Sequence, residues 1–193
     1  VVVEKEKEEM NIFVLDESVE RCAQSHCDKH VTKMIVEYAQ ILCTTHRYLD
    51  GSLYKAPSNS GKTFVKKWLL DDKEAEKTLF AAAYVNHPCT IWTRLASENY
   101  LYLYTLWKNL VREYYFRYRK IHGCYTALNK YLQHYPKKIM HRPGTEHPQC
   151  MPEEFKDKYY VHAYRKFYIG SKFKFAKWTK RPAPDWYTKA FTK

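Results

Sequence analysis

Glycine is scarce in this chain, with five in 193 residues. That is too few for a sandwich or barrel that turns tightly after every strand. Long apolar runs are missing as well: none approaches the roughly 20 residues that span a bilayer, and no secretory leader is recognisable. The expectation is a protein with no membrane partner, working in the cytoplasm. The six cysteines, Cys22, Cys27, Cys43, Cys89, Cys124 and Cys150, include no Cys-x-x-Cys pair, so the spacing of a zinc finger is absent. They fall in apolar helical patterns, where a reduced thiol behaves as a small hydrophobe, and disulfides are not expected in such a compartment. No internal repeat is present.

What is abundant is tyrosine, 18 residues, and positive charge, a net +12. Tyrosine buries its ring while keeping its hydroxyl wet, or offers a stacking surface to a base. The charge is uneven. From residue 156 to 193 there are 11 Lys and Arg against Asp157 and Asp185, a balance of +9, interleaved with 11 aromatic residues. Cations alternating with rings suit a phosphate backbone carrying exposed bases. Lys172, Lys174, Lys177, Trp178, Lys180, Arg181, Trp186 and Tyr187 are therefore the candidate nucleic-acid contacts, with DNA the expected partner. The competing role for the tryptophans is to seal the core.

The pattern along the chain predicts a mainly α, single-domain helical bundle over 10–193, with at most one short strand near the N-terminus, at 11–15, or a buried extended lead-in there. Residues 1–9 read as a charged tail. The run from Glu4 to Glu9 has only residues with purine-rich codons, as an in-frame ribosome-binding site would give, so Met10 is the expected native start. Asp16 or Ser18 caps a helix, or a pair broken near Ser25, that runs to about residue 48. A polar loop follows to Gly61, then a short helix at about 63–70 and another at 72–86. Pro88 suits the first turn of a long central helix over about 89–120. Further helices are expected at 125–134, at 152–169 with Gly170 as its stop, and at 171–178. Residues 135–151 read as a loop and 181–187 as an extended tail.

One helical stripe concentrates chemistry. At about 100° per residue, His26, Lys29, His30, Lys33 and Glu37 fall within roughly a third of a helix circumference. Val31, Met34, Ile35, Tyr38 and Leu42 take the opposite side. A helix of this kind buries one face and presents imidazoles, amines and a carboxylate on the other. Those groups are the candidate catalytic residues: an amine among cations, partly desolvated, gains nucleophilic character, and Glu37 or a histidine can move protons. The i, i+4 spacing of His26 and His30 also allows both to bind one metal, with a third ligand from elsewhere. The residues name no cofactor. Ala56-Pro-Ser-Asn-Ser-Gly-Lys-Thr63 matches a relaxed phosphate-binding loop, but the buried strand that must precede it is missing.

With these residues in view, the chain resembles a family of uncharacterised phage proteins common in marine phages. The likeness rests on Asn11-Ile-Phe-Val-Leu-Asp16, the block His26-Cys-Asp-Lys-His-Val-Thr-Lys-Met34, the pair His87-Pro88 and the ending Phe175-Ala-Lys-Trp-Thr-Lys-Arg-Pro. It is also faintly similar to the phage pyrimidine-dimer DNA glycosylases, small helical proteins with an Arg-Pro-x-Trp-Tyr ending that Arg181-Pro-Ala-Pro-Asp-Trp-Tyr187 approaches with one extra residue. In that family the nucleophile is the N-terminal α-amine, assisted by a Glu, and this chain departs there, since its terminus is a charged tail or Met10. The resemblance implies a phage enzyme in the host cytoplasm acting on a DNA base or nucleotide, glycosylase/lyase-like. The alternatives are a metal-dependent enzyme centred on His26 and His30, and a non-catalytic DNA-binding protein.

Overall fold

In a computed structural model describing residues 10–58 and 60–192, the apolar run at 10–15 is buried along its whole length. It is extended but pairs with no strand. Its amides turn instead to side chains: Phe13 N–H donates to the Tyr38 hydroxyl at 3.0 Å and Leu15 N–H to Cys22 Sγ at 3.3 Å. Of the two readings of 11–15, one short strand or a buried lead-in, the chain takes the buried lead-in. The tail expected at 1–9 lies outside the described residues.

Ser18 caps α1 (Val19–Ser25) by accepting from Arg21 N–H, as its short oxygen-bearing side chain favours. α2 (Asp28–Asp50) is the long buried helix of the core, with Val31, Met34, Ile35, Tyr38 and Leu42 inside. A hairpin follows, β1 (Ser52–Pro57) and β2 (Phe64–Leu69), antiparallel with Leu53 opposite Trp68 and Pro57 opposite Phe64. The loop and helix expected over 50–70 are thus a two-stranded sheet. Aromatic and β-branched residues at 64–68 favour the pleated state over helix, and Gly61 turns the chain at φ +70°. The relaxed phosphate-loop motif straddles this exposed turn and opens no helix, so it builds no phosphate cradle.

α3 (Lys73–Thr78) is capped by Asp72 and is shorter than the helix expected to 86. α4 (Pro88–Leu95) starts at its proline, and α5 (Ser97–Tyr118) lies across α2. The single helix expected over 89–120 is two, broken at Ala96, because Ser97 N–H is drawn to the Met140 carbonyl and Asn99 Nδ2 to the Trp92 carbonyl. α6 (Gly123–Leu132) and a short 3-10 turn, Glu153–Phe155, frame a long loop. That loop is tied down by Asp50, Glu98 and Asn99. α7 (Tyr160–Lys172) begins later than expected and runs through Gly170 instead of stopping there. The glycine's role is space: a Cβ there would lie 2.5 Å from the Phe155 ring. Residues 173–178 are not helical, and a short α8 (Asp185–Thr188) stands where an extended tail was expected. No described helix is long and apolar enough to cross a membrane.

Candidate active site

The predicted stripe is broken by the chain itself. His26 ends α1 in an extended conformation, and Cys27 is the N-cap of α2. Tyr168 accepts the Cys27 amide at 2.9 Å and the Lys177 carbonyl accepts that of Asp28 at 2.8 Å. Two later segments thereby take up helix-start donors that no capping side chain satisfies. His26 consequently leaves the helical face and is fully buried. Its Nδ1 bonds the Cys22 carbonyl at 2.8 Å, so that nitrogen carries the hydrogen, and Nε2 faces the Tyr38 hydroxyl at 3.4 Å. Burial pushes its pKa down to about 4, against the opposing pull of the Cys22 carbonyl. His26 is a neutral, fully engaged ring near pH 7.

His30 sits differently. It is buried among Phe13, Tyr168 and Phe175, with ring centroids at 4.7, 5.0 and 5.7 Å. Burial first, then the nearby His26, Lys172, Lys33 and Lys29, hold its pKa well below the usual imidazole value. Its Nδ1 is buried with no hydrogen-bond partner, a state that costs on the order of 1–3 kcal/mol. His30 forms part of the wall of a cavity of about 590 Å³, together with Asn11, Phe13, Lys33, Phe155, Phe167, Ser171 and Lys172. Lys33 bridges to Glu37 at 3.2 Å along α2. Lys29 is exposed and holds its ammonium 4.4 Å from the centre of the Phe175 ring. Of the five stripe residues, the cavity takes His30 and Lys33 into its wall. Glu37 reaches it through Lys33, and His26 lies behind His30, their rings 6.4 Å apart.

Comparison with protein-family models, curated proteins and solved structures finds no match.

Lys172 joins the two sets of predicted residues. Expected on nucleic acid, it is buried against Phe167 and enters the same cavity wall as His30 and Lys33. Local spacing carries no sign of this meeting, since it needs α7 folded back onto α2. The rest of the basic segment divides. Lys174, Lys177 and Lys180 are exposed. The rings are occupied internally: Trp178 Nε1 donates to the Ser25 carbonyl at 3.0 Å, Trp186 packs edge-on against Tyr168, and Tyr187 lies 4.7 Å from Trp178. Arg181 donates to Glu113 at 2.6 Å and covers the Phe116 ring.

Glu113 belongs to a network that the sequence reading missed. Arg117, its side chain 0% exposed, bonds Glu113 at 2.7 Å, Asp28 at 2.8 Å and the Gln24 carbonyl at 3.1 Å. Asp28 also accepts from the Thr179 amide and hydroxyl. Burial pushes the Asp28 carboxyl up, but Thr179 and the Arg117 guanidinium outweigh it and hold it below the usual carboxylate range. The available signal was the i, i+4 spacing of Glu113 and Arg117 on the central helix. A second missed group is His87, Cys89 and Cys150, whose ligand-capable atoms all lie within 4.8 Å of one another.

Proposed function

We propose that this protein is an enzyme of phage nucleic-acid metabolism that acts on a DNA base or nucleotide by glycosylase/lyase-like chemistry, in the cavity of His30, Lys33 and Lys172. The observation that carries this reading is the meeting of two amines with a buried imidazole of unused hydrogen-bonding capacity in one aromatic-walled cavity. Its volume of about 590 Å³ lies in the range of small-molecule sites. The amines suit a phosphate, and Phe13, Phe155 and Phe167 offer apolar surface to a base.

In this reading Glu37, 3.2 Å from Lys33, takes a proton from the amine. Lys33 Nζ then attacks C1′ of the damaged nucleotide. The glycosidic C–N bond breaks, and the base leaves with that electron pair and picks up a proton. The nitrogen, having lost a second proton, then expels O4′ from C1′. As that C–O bond breaks O4′ takes a proton, so that the opened sugar stays joined to Nζ as a protonated imine. His30, neutral near pH 7, is placed to shuttle protons, while Lys172 holds a flanking phosphate. The imine is reducible, which makes the reading testable. Borohydride added to protein on ultraviolet-damaged or abasic duplex DNA should leave a covalent adduct. Lys33→Ala should abolish that adduct with DNA affinity nearly unchanged, and His30→Gln should slow its formation without preventing it. An adduct that survives Lys33→Ala removes Lys33 as the nucleophile. No adduct on any damaged DNA removes the lyase reading.

A further inference from the structure

We propose that His87, Cys89 and Cys150 form a binding site for one thiophilic divalent metal ion, with zinc as the fitting occupant. This does not rest on the reaction assigned to the neighbouring cavity. The two thiol sulfurs are 3.6 Å apart, and both lie within 4.8 Å of a His87 ring nitrogen. Zinc–sulfur and zinc–nitrogen bonds of about 2.3 and 2.0 Å at tetrahedral angles place two thiolates about 3.8 Å apart and a thiolate about 3.5 Å from an imidazole nitrogen. The sulfurs thus already stand at nearly the spacing the ion imposes. Two sulfurs and one imidazole are a donor set that selects zinc over magnesium or calcium.

Each ligand is held in place by the fold. His87 is the N-cap of α4, and its Nδ1 accepts from Cys89 N–H at 3.2 Å, which sets the ring beside the helix start. An ion would replace that bond, either by taking the Nδ1 lone pair or by taking Nε2 as the ring proton moves to Nδ1. Cys89 lies in the first turn of α4. Cys150 comes from the far end of the long loop, and its carbonyl accepts from Asn11 Nδ2 at 2.5 Å. The Pro148 carbonyl two residues earlier accepts from Tyr164 at 2.7 Å. An ion here would fasten that loop to α4, and three protein ligands leave a fourth position for water or substrate. Cys150 also forms part of the wall of the His30 cavity.

Binding is proton exchange without oxidation: two thiols give up their protons as two metal–sulfur bonds form, so uptake releases acid. The test uses the whole chain, free of any affinity tag, reduced and then titrated with cobalt(II) alone. The expected result is one equivalent bound, with thiolate-to-cobalt charge-transfer absorption and the intense visible bands of tetrahedral cobalt, all bleached by zinc. Cys89→Ser and Cys150→Ser should each remove the charge-transfer band. Should those variants fail to fold, His87→Asn keeps a residue suited to capping α4 and still removes a ligand. It should weaken cobalt binding by more than roughly tenfold, the lower bound for losing even a supporting group. Reduced, folded protein without charge-transfer absorption overturns the site, as do bands that persist in Cys89→Ser. A Cys89–Cys150 disulfide in the protein as isolated, seen as the loss of two hydrogens by mass, with no cobalt uptake after reduction, also overturns it in favour of a redox pair.

Discussion

The buried network around Arg117 and the cavity around His30 draw on the same parts of the chain and put charge to opposite uses. Asp28 and Lys33 both belong to the start of α2. Asp28 meets Arg117 of α5 and Thr179 of the C-terminal segment, while Lys33 lines a cavity with Lys172 of α7. Around Arg117 the accounting closes. The guanidinium, Glu113 with its side chain 2% exposed, Asp28 and Arg181 satisfy one another at 2.6–2.8 Å. Around His30 it stays open: a buried nitrogen has no partner and about 590 Å³ of space adjoins it. A cation in sequence is the same cation in both places. What makes one a strut and leaves the other beside open space is whether distant segments deliver matched acceptors or leave room.

Glu113→Ala should break the comparison hardest. It strands Arg117 and Arg181 together without their shared carboxylate, and removing one partner of a buried ion pair costs about 3–5 kcal/mol. For a chain of this size that lowers Tm by on the order of 10 °C. A loss under about 1 kcal/mol by urea unfolding would erase the distinction between the regions.

The two histidines give the next largest effect, through pH. Their folded pKa values are depressed, His26 to about 4 and His30 well below the ordinary 6.5. The unfolded chain therefore takes up protons below about 6.5 that the folded chain refuses. Their share of stability is complete above that pH and is lost as pH falls, by up to about 1.4 kcal/mol per pH unit for each histidine. His26→Gln should flatten the slope between pH 6.5 and 4 by one histidine's share in urea titrations. An unchanged slope would show that His26 is already protonated in the fold.

Smaller still is the cost to stability of the cavity lysine. The side chain of Lys33 is 30% exposed, so Lys33→Ala should change unfolding free energy by less than about 1 kcal/mol while eliminating the trapped adduct. A large destabilisation would move Lys33 into the class of Arg117. The smallest effect on stability belongs to Lys177 and Lys180, exposed beside the structural Arg181. Reversing both to Glu should leave Tm in place and reduce the salt slope of DNA binding by roughly 2. DNA binding that is insensitive to salt would show that these cations touch no phosphate.

Much of the helical skeleton was legible because its punctuation is local. Ser18 caps α1, Pro88 opens α4, and the proline-rich stretch after 134 forms the long loop. What misled was structure imposed from far away. The break at Ala96 contains no glycine or proline and exists because Met140 captures the Ser97 amide. The pair of helices broken near Ser25 was one of the two readings, but the hold of Tyr168 and Lys177 on the Cys27 and Asp28 amides, which takes His26 off the stripe, was not legible. Gly170 looked like a helix stop but serves Phe155. The hairpin's aromatic content outweighed the apparent helical spacing of 63–70. At the candidate site, helical spacing was enough to associate His30 with Lys33. It could not bring in Lys172, expel His26 or spend Trp178 and Trp186 on the core, since each outcome depends on how α7 and the last segment pack. The cysteines escaped notice as ligands because 61 residues separate Cys89 from Cys150.

The buried segment at 10–15 also fixes an order of events during synthesis. It leaves the ribosome before α1 to α8, and although the Phe13 and Leu15 amides find Tyr38 and Cys22 early, several of its other polar groups wait for partners made near the end. Asn11 bonds the Cys150 carbonyl across 139 positions and receives the Tyr164 hydroxyl across 153, and the Leu15 carbonyl accepts from Arg165 across 150. Until then the side of this apolar strip that faces α7 is covered by nothing, the kind of surface that nascent chains trade in aggregates or on chaperones. α7 is therefore the clasp that closes the molecule, and a nascent chain stalled before α7 would leave Asn11 and Leu15 without these late partners.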